Sequence, residues 1–102
     1  MSHVFPRNNN NAPPVAVAGD GCYLIDSDGR RFFDGSGGAA ISSLGHSNPR
    51  VISAIKHQVA RLAFAHTSFF TSEPSEELAD LLVKNAPGHL DRVYFVSGGS
   101  EA

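Results

Sequence analysis

Ser97-Gly98-Gly99-Ser100-Glu101-Ala102 is the stretch whose residue types and spacing could do chemistry. Glycines let a backbone come close to an anion, while unpaired N–H groups and the dipole of a starting helix favour its charge. Val93-Tyr94-Phe95-Val96, directly before it, has the apolar, β-branched and aromatic composition of a buried strand. Strand, glycine turn and a helix start at Ser100 together make the phosphate cup of an α/β protein. The sequence stops with that helix barely begun, and a strand with a parallel neighbour needs a crossover. The expectation is therefore the front end of a larger phosphate-cofactor enzyme, cut at its cofactor loop.

Other chemistries find little support. Histidines stand at 3, 46, 57, 66 and 89 without H-x-x-x-H or Cys/His ligand spacing, so no metal site is expected. Asp26-Ser27-Asp28-Gly29 places its glycine fourth, whereas a calcium loop needs it sixth. No G-x-S-x-G elbow and no Walker lysine occur. Lys56 and Lys84 are the only lysines that could form an imine, and both sit on the polar side of helical patterns.

Composition narrows the class further. A chain of 102 residues with 41% hydrophobic residues suits one small domain, and a net charge of −2 leaves no footprint for nucleic acid or an acidic membrane surface. The lone Cys22 excludes an internal disulfide and fits a reducing compartment. Val4-Phe5 before Pro6 is too short for a secretory signal, and no apolar run approaches the ~20 residues of a membrane helix. The cytoplasm is the expected location.

The elements that must position the loop follow from local signals. Residues 1–14, with Asn8-Asn9-Asn10-Asn11 and Pro13-Pro14, read as an arm ordered on a partner subunit or equally as a disordered leader. Val15 to Asp34 is β in character, with turns at Gly19-Asp20-Gly21 and at Asp28-Gly29, the latter predicting a two-residue hairpin. Asp34-Gly35-Ser36-Gly37-Gly38-Ala39-Ala40-Ile41 is too rich in glycine for a regular helix. It reads equally as a tight connection or as a place where something approaches the backbone. Asn48 as N-cap and Pro49 at the first helical position start a helix to about Leu62–Ala65, with Val51, Ile55, Val59 and Leu62 as its apolar stripe. Phe69 and Phe70 are adjacent, so at least one should point away from the local core, which reads equally as an interface or pocket wall or as satellite core packing. Ser72-Glu73-Pro74 starts a second helix, bearing Leu78, Leu81 and Leu82, that Asn85-Ala86-Pro87-Gly88 stops.

Three motifs, in order, resemble class III aminotransferases. They are the run from Gly21 to Gly35, then Leu44-Gly45-His46-Ser47-Asn48-Pro49, then Ser97-Gly98-Gly99-Ser100-Glu101-Ala102, and the likeness covers about residues 15–102. The resemblance implies the N-terminal portion of a fold type I transferase dependent on pyridoxal 5′-phosphate. In it, 15–65 would belong to the small domain, as a β-hairpin and helix, and 66–102 would start the large cofactor-binding domain and its sheet. It further implies Gly99-Ser100 as the phosphate-binding pair with Gly98 in the turn, and Gly38, Ala39 and Ala40 on the substrate side of the cofactor. At that last place relatives often carry a large aromatic. Phe69 and Phe70 would reach toward the neighbouring subunit of a homodimer or higher homo-oligomer.

The implied activity is transfer of an amino group from an amine or ω-amino acid to a keto acid, in two steps, with the cofactor as electron sink. The lysine that carries the cofactor would lie beyond Ala102, so no catalytic residue is assigned. A helix terminus gives an anion only ~0.3–2 kcal/mol, against about 8 kcal/mol for micromolar binding. The 102 residues alone are expected to be inactive. Other readings remain: a decarboxylase, aminomutase or racemase on the same scaffold, or a non-catalytic module acting in subunit packing. A nucleotide binder sharing the cup lacks both glycine fingerprints.

Overall fold

The computed structural model describes residues 2–102. They form two compact units, Met1–His57 and Gln58–Ala102.

The first unit holds a three-stranded antiparallel sheet in the order β1-β2-β3, made of β1 (Ala16–Asp20), β2 (Tyr23–Asp26) and β3 (Arg31–Phe33). Tyr23 pairs with Phe33, Leu24 with Phe32 and Ile25 with Arg31. The Tyr23 and Phe33 rings meet edge-on at 5.8 Å. Arg31 lies over the Tyr23 ring and pairs with Asp20 at 3.0 Å.

The turn between β2 and β3 differs from the predicted two-residue type. The Gly29 N–H donates to the Asp26 carbonyl, the Asp26 N–H donates to the Arg30 carbonyl, and of the turn residues only Gly29 has positive φ, at 79°. That is a three-residue loop closed by a left-handed glycine. The cause is Asp26. Its carboxylate accepts from the N–H groups of Asp28 and Arg30 and from Arg30 Nε, at 2.8–3.0 Å, and so selects an Asx-type turn. Asp26 is the one buried residue among those described, at 3% exposure.

After β3 comes α1 (Gly37–Ala40), a single helical turn whose hand is left, not right. Gly37, Gly38, Ala39 and Ala40 have φ of 58°, 61°, 62° and 68°. Then α2 (Pro49–Arg61) begins as its sequence predicts. Asn48 Oδ1 accepts from the Arg50 and Val51 N–H groups at 3.1 and 3.4 Å.

In the second unit, α3 (Glu73–Asn85) carries Glu73 and Glu76 in its first turn and Lys84 in its last. Ser72 makes no side-chain cap; its hydroxyl bonds that of Ser75 at 2.8 Å. The strand predicted at Val93–Val96 does not form. That segment is irregular, with Tyr94 88% exposed. A strand exists only through hydrogen bonds to a neighbour, and no described residue pairs with this one. The sheet expected to start there is absent as a paired strand.

No hydrophobic residue among those described is buried. The chain exposes 9397 Å², where a folded monomer of this size exposes roughly 5,500 Å². The apolar stripes of α2 and α3 are open, including Ile55, Val59 and Leu81 at 63%, 57% and 58%.

Two glycines separate backbone strain from crowding. Gly45 has φ 78°, and a Cβ there would come within 2.8 Å of the Gly21 carbonyl oxygen, whereas Gly88, at φ 67°, faces open space. In the complete protein, Gly88→Ala should cost about 1–2 kcal/mol, the price of a left-handed residue. Gly45→Ala should cost more, by about 1 kcal/mol or above, because the carbonyl must also move. Urea denaturation of both variants measures the difference, and equal losses would refute the close approach of Gly45 to Gly21.

Candidate functional site

Left-handed backbone is strained for alanine, at about 1–2 kcal/mol per residue, and α1 holds two alanines there. Strain of this kind persists only where the surroundings impose it. The Ala40 N–H donates to the Ser36 carbonyl at 2.9 Å, and the Ile41 and Ser42 N–H groups donate to that of Gly37 at 2.8 and 2.7 Å. Upstream, the Gly38 N–H donates to Asp34 Oδ1 at 2.9 Å. The other Asp34 oxygen meets His46 Nε2 at 2.7 Å.

The Asp34 and His46 side chains are only 9% and 18% exposed. The Gly38 N–H, followed by the His46 imidazole, holds the Asp34 carboxyl below its ordinary 3.8, against a smaller upward push from burial. A site built on this loop therefore has two faces. Gly38, Ala39 and Ala40 are exposed, while the groups fixing them lie underneath.

The glycine loop at the other end is open and rich in donors. No described residue accepts a hydrogen bond from the N–H of Gly99 or Ser100. A Cβ at Gly99 would meet nothing within 4 Å, so an incoming group can reach the backbone. Glu101 N–H turns back to the Gly98 carbonyl at 3.2 Å, and the Glu101 carboxylate lies beside Gly98. Two backbone donors and a hydroxyl suit a phosphate; the neighbouring carboxylate opposes one until it swings into solvent. The donor set fits a phosphorylated cofactor.

Phe69 and Phe70 are both open, at 79% and 66% exposure. A turn holds them, with both N–H groups donating to the His66 carbonyl. Phe70 lines an open groove of about 690 Å³ with Leu62, Phe64, Val93, Tyr94 and Phe95. Phe69 instead stacks at a tilt on His66, 5.6 Å between centroids. The predicted residues thus fall in both units, with Gly38–Ala40 in the first and the phenylalanines and glycine loop in the second. Among the described residues, no group of three or more His, Cys, Asp or Glu side chains could hold a metal.

The Asp34–His46 pair was not legible beforehand. The two stand twelve positions apart along glycine-rich chain, and no local spacing rule connects them.

With its folded pKa depressed, Asp34 contributes full stability above its ordinary value of 3.8 and loses it as pH falls through the lower folded value. Titrating its carboxyl by carbon-13 NMR in the complete protein should show a midpoint below that value. His46→Ala should raise the midpoint only part of the way, since the Gly38 N–H has the larger influence. A full return would reverse that order.

Comparison with known proteins bears on the whole stretch. The profile of the family Aminotransferase class-III matches residues 4–102. An aminotransferase of Schizosaccharomyces pombe is 41% identical over 99% of this chain and 22% of its own length. The acetylornithine aminotransferase of Mycobacterium tuberculosis H37Rv is 42% identical over 93% of this chain and 24% of its own. Among solved structures, the omega transaminase of Pseudomonas jessenii in complex with PMP superposes with a TM-score of 0.87 at 32% identity, over 98% of this chain and 23% of that one. An (S)-enantioselective omega-transaminase from Thermomicrobium roseum gives 0.87 at 36% identity, over 98% and 24%. The chain spans about a quarter of the length of these relatives. It belongs to the class III aminotransferases.

Proposed function

We propose that the protein containing this chain is a pyridoxal 5′-phosphate-dependent aminotransferase that moves an amino group from an amine or ω-amino acid to a keto acid. The observation that carries this is the family match over residues 4–102, which takes in both the α1 loop and the glycine loop. Solved relatives described as bound to PMP, from Pseudomonas jessenii and Vibrio fluvialis, support the cofactor.

The residues take distinct roles in this reading. The N–H groups of Gly99 and Ser100 and the Ser100 hydroxyl would hold the phosphate, with Gly98 shaping the turn. Gly38, Ala39 and Ala40 would line the substrate side, where two methyl groups leave room for a substantial amine. Phe69 and Phe70, exposed on their turn, would reach a neighbouring subunit's site in a homodimer or higher homo-oligomer. The open apolar stripes of α2 and α3 support such cover. The free, exposed Cys22 supports a reducing location, the cytoplasm.

When bound, the cofactor supplies the electron sink for cleaving a bond at the amine-bearing carbon. The work of this chain is to anchor and to shape. A hydrogen bond to a charged group is worth about 1.5–3 kcal/mol, so Ser100→Ala should weaken cofactor retention roughly ten- to a hundredfold. Dialysis of the complete enzyme followed by absorbance of retained cofactor measures this. Unchanged retention would remove Ser100 from the phosphate site. Screening amine donors against keto acids tests the activity, and failure of every keto acid to gain an amino group would overturn it.

A further inference from the structure

We propose that Asp34 and His46 are positioning residues. Their contact clamps the left-handed turn α1 to the β1–β2 hairpin and so fixes where Ala39 and Ala40 meet substrate. The last step rests on the proposed function; the clamp itself does not.

The clamp has two ends. At the turn, the Asp34 carbonyl accepts the Gly37 N–H at 3.1 Å and its Oδ1 accepts the Gly38 N–H at 2.9 Å. One residue therefore holds the first two amides of α1. At the hairpin, His46 is itself immobilised. Its N–H donates to the Gly21 carbonyl at 2.8 Å, and the neighbouring Ser47 hydroxyl accepts the Gly21 N–H at 2.8 Å. Gly19 has no side chain where the His46 Cβ packs against it, so the imidazole stem sits directly on β1. The 2.7 Å contact from His46 Nε2 to Asp34 Oδ2 joins the two ends.

Within the turn, only the backbone hydrogen bonds to the Ser36 and Gly37 carbonyls assist the clamp. Gly38, Ala39 and Ala40 are exposed, so none of the described residues packs over the turn. Ala39 and Ala40 stand at φ 62° and 68°, conformations an unrestrained alanine leaves readily. An exposed and strained turn keeps its geometry only through the groups beneath it. A short charge-assisted hydrogen bond between nearly buried partners has the directionality to do this.

The decisive experiment follows amide exchange by mass spectrometry in the complete, cofactor-loaded enzyme, with kinetics in parallel. His46→Ala should lower protection of the segment from Gly37 to Ser42 about tenfold while α2 amides stay protected. His46→Gln, whose amide N–H can still reach Asp34, should retain most of that protection. Adding Ala40→Gly to His46→Ala should restore part of it, since glycine adopts positive φ without a Cβ clash. In kinetics, His46→Ala should raise KM for the amine donor about tenfold with kcat changed less than about threefold, as expected for lost shape rather than lost chemistry.

Asp34→Ala removes that link together with the acceptor of the Gly38 N–H and leaves the His46 packing on Gly19 intact, so it tests the clamp as a whole if His46→Ala does not fold. Unchanged exchange in the folded variants would overturn the clamp. Loosened exchange with an unchanged KM would overturn its role toward substrate. An enzyme that shows the exchange pattern yet transaminates nothing would sink the proposed activity and leave the clamp standing.

Discussion

Apolar burial is the interaction on which this structure depends, and the described residues do not supply it to one another. Hydrophobic burial is the largest favourable contribution to folding, yet no apolar side chain here is buried. The helices are nonetheless well specified. Each carries an apolar stripe and a basic residue in its last turn, and α3 adds two acids in its first, as in segments that pack against a larger body. Sequence and structure together describe elements prepared for cover. Relatives about four times as long are consistent with the source of that cover.

In the absence of a core, polar knots set the local geometry. Asp26 gathers two backbone amides and one guanidinium nitrogen, and it decides the length of the β2–β3 turn. Asp34 gathers two amides of α1 through its carbonyl and carboxyl, and one imidazole, and it tethers that turn. Each is a short acidic side chain at the end of a strand or just beyond it, where free amides are most in need of acceptors. The functional reading leans on the second knot, because the loop it holds is one of the two expected to face the cofactor.

Much of this was legible in the sequence, and the rest was hidden for definable reasons. Periodicity and capping placed α2 and α3, since Asn48-Pro49 and Ser72-Glu73-Pro74 act locally. The β-hairpins were legible for the same reason, but the loop between β2 and β3 was misjudged. Asp28-Gly29 favours a two-residue turn, and the carboxylate of Asp26, two residues earlier, overrode it. Val93–Val96 has strand composition and no partner, so composition alone overstated its structure. The left-handed turn and the Asp34–His46 contact lay out of reach. Glycine content announces freedom without saying how it is used, and a contact twelve residues apart has no periodic signature. The order of three motifs, rather than any one glycine loop, carried the family resemblance.

The dependence on external apolar cover is tested most directly by amide-resolved NMR of the 102 residues expressed alone, with a urea titration on the same sample. Poor amide dispersion along α2 and α3 is expected, together with a broad, non-cooperative loss of signal. A monomer with well-dispersed amides and a sharp cooperative transition would contradict the account, because it would require a core that these residues do not form.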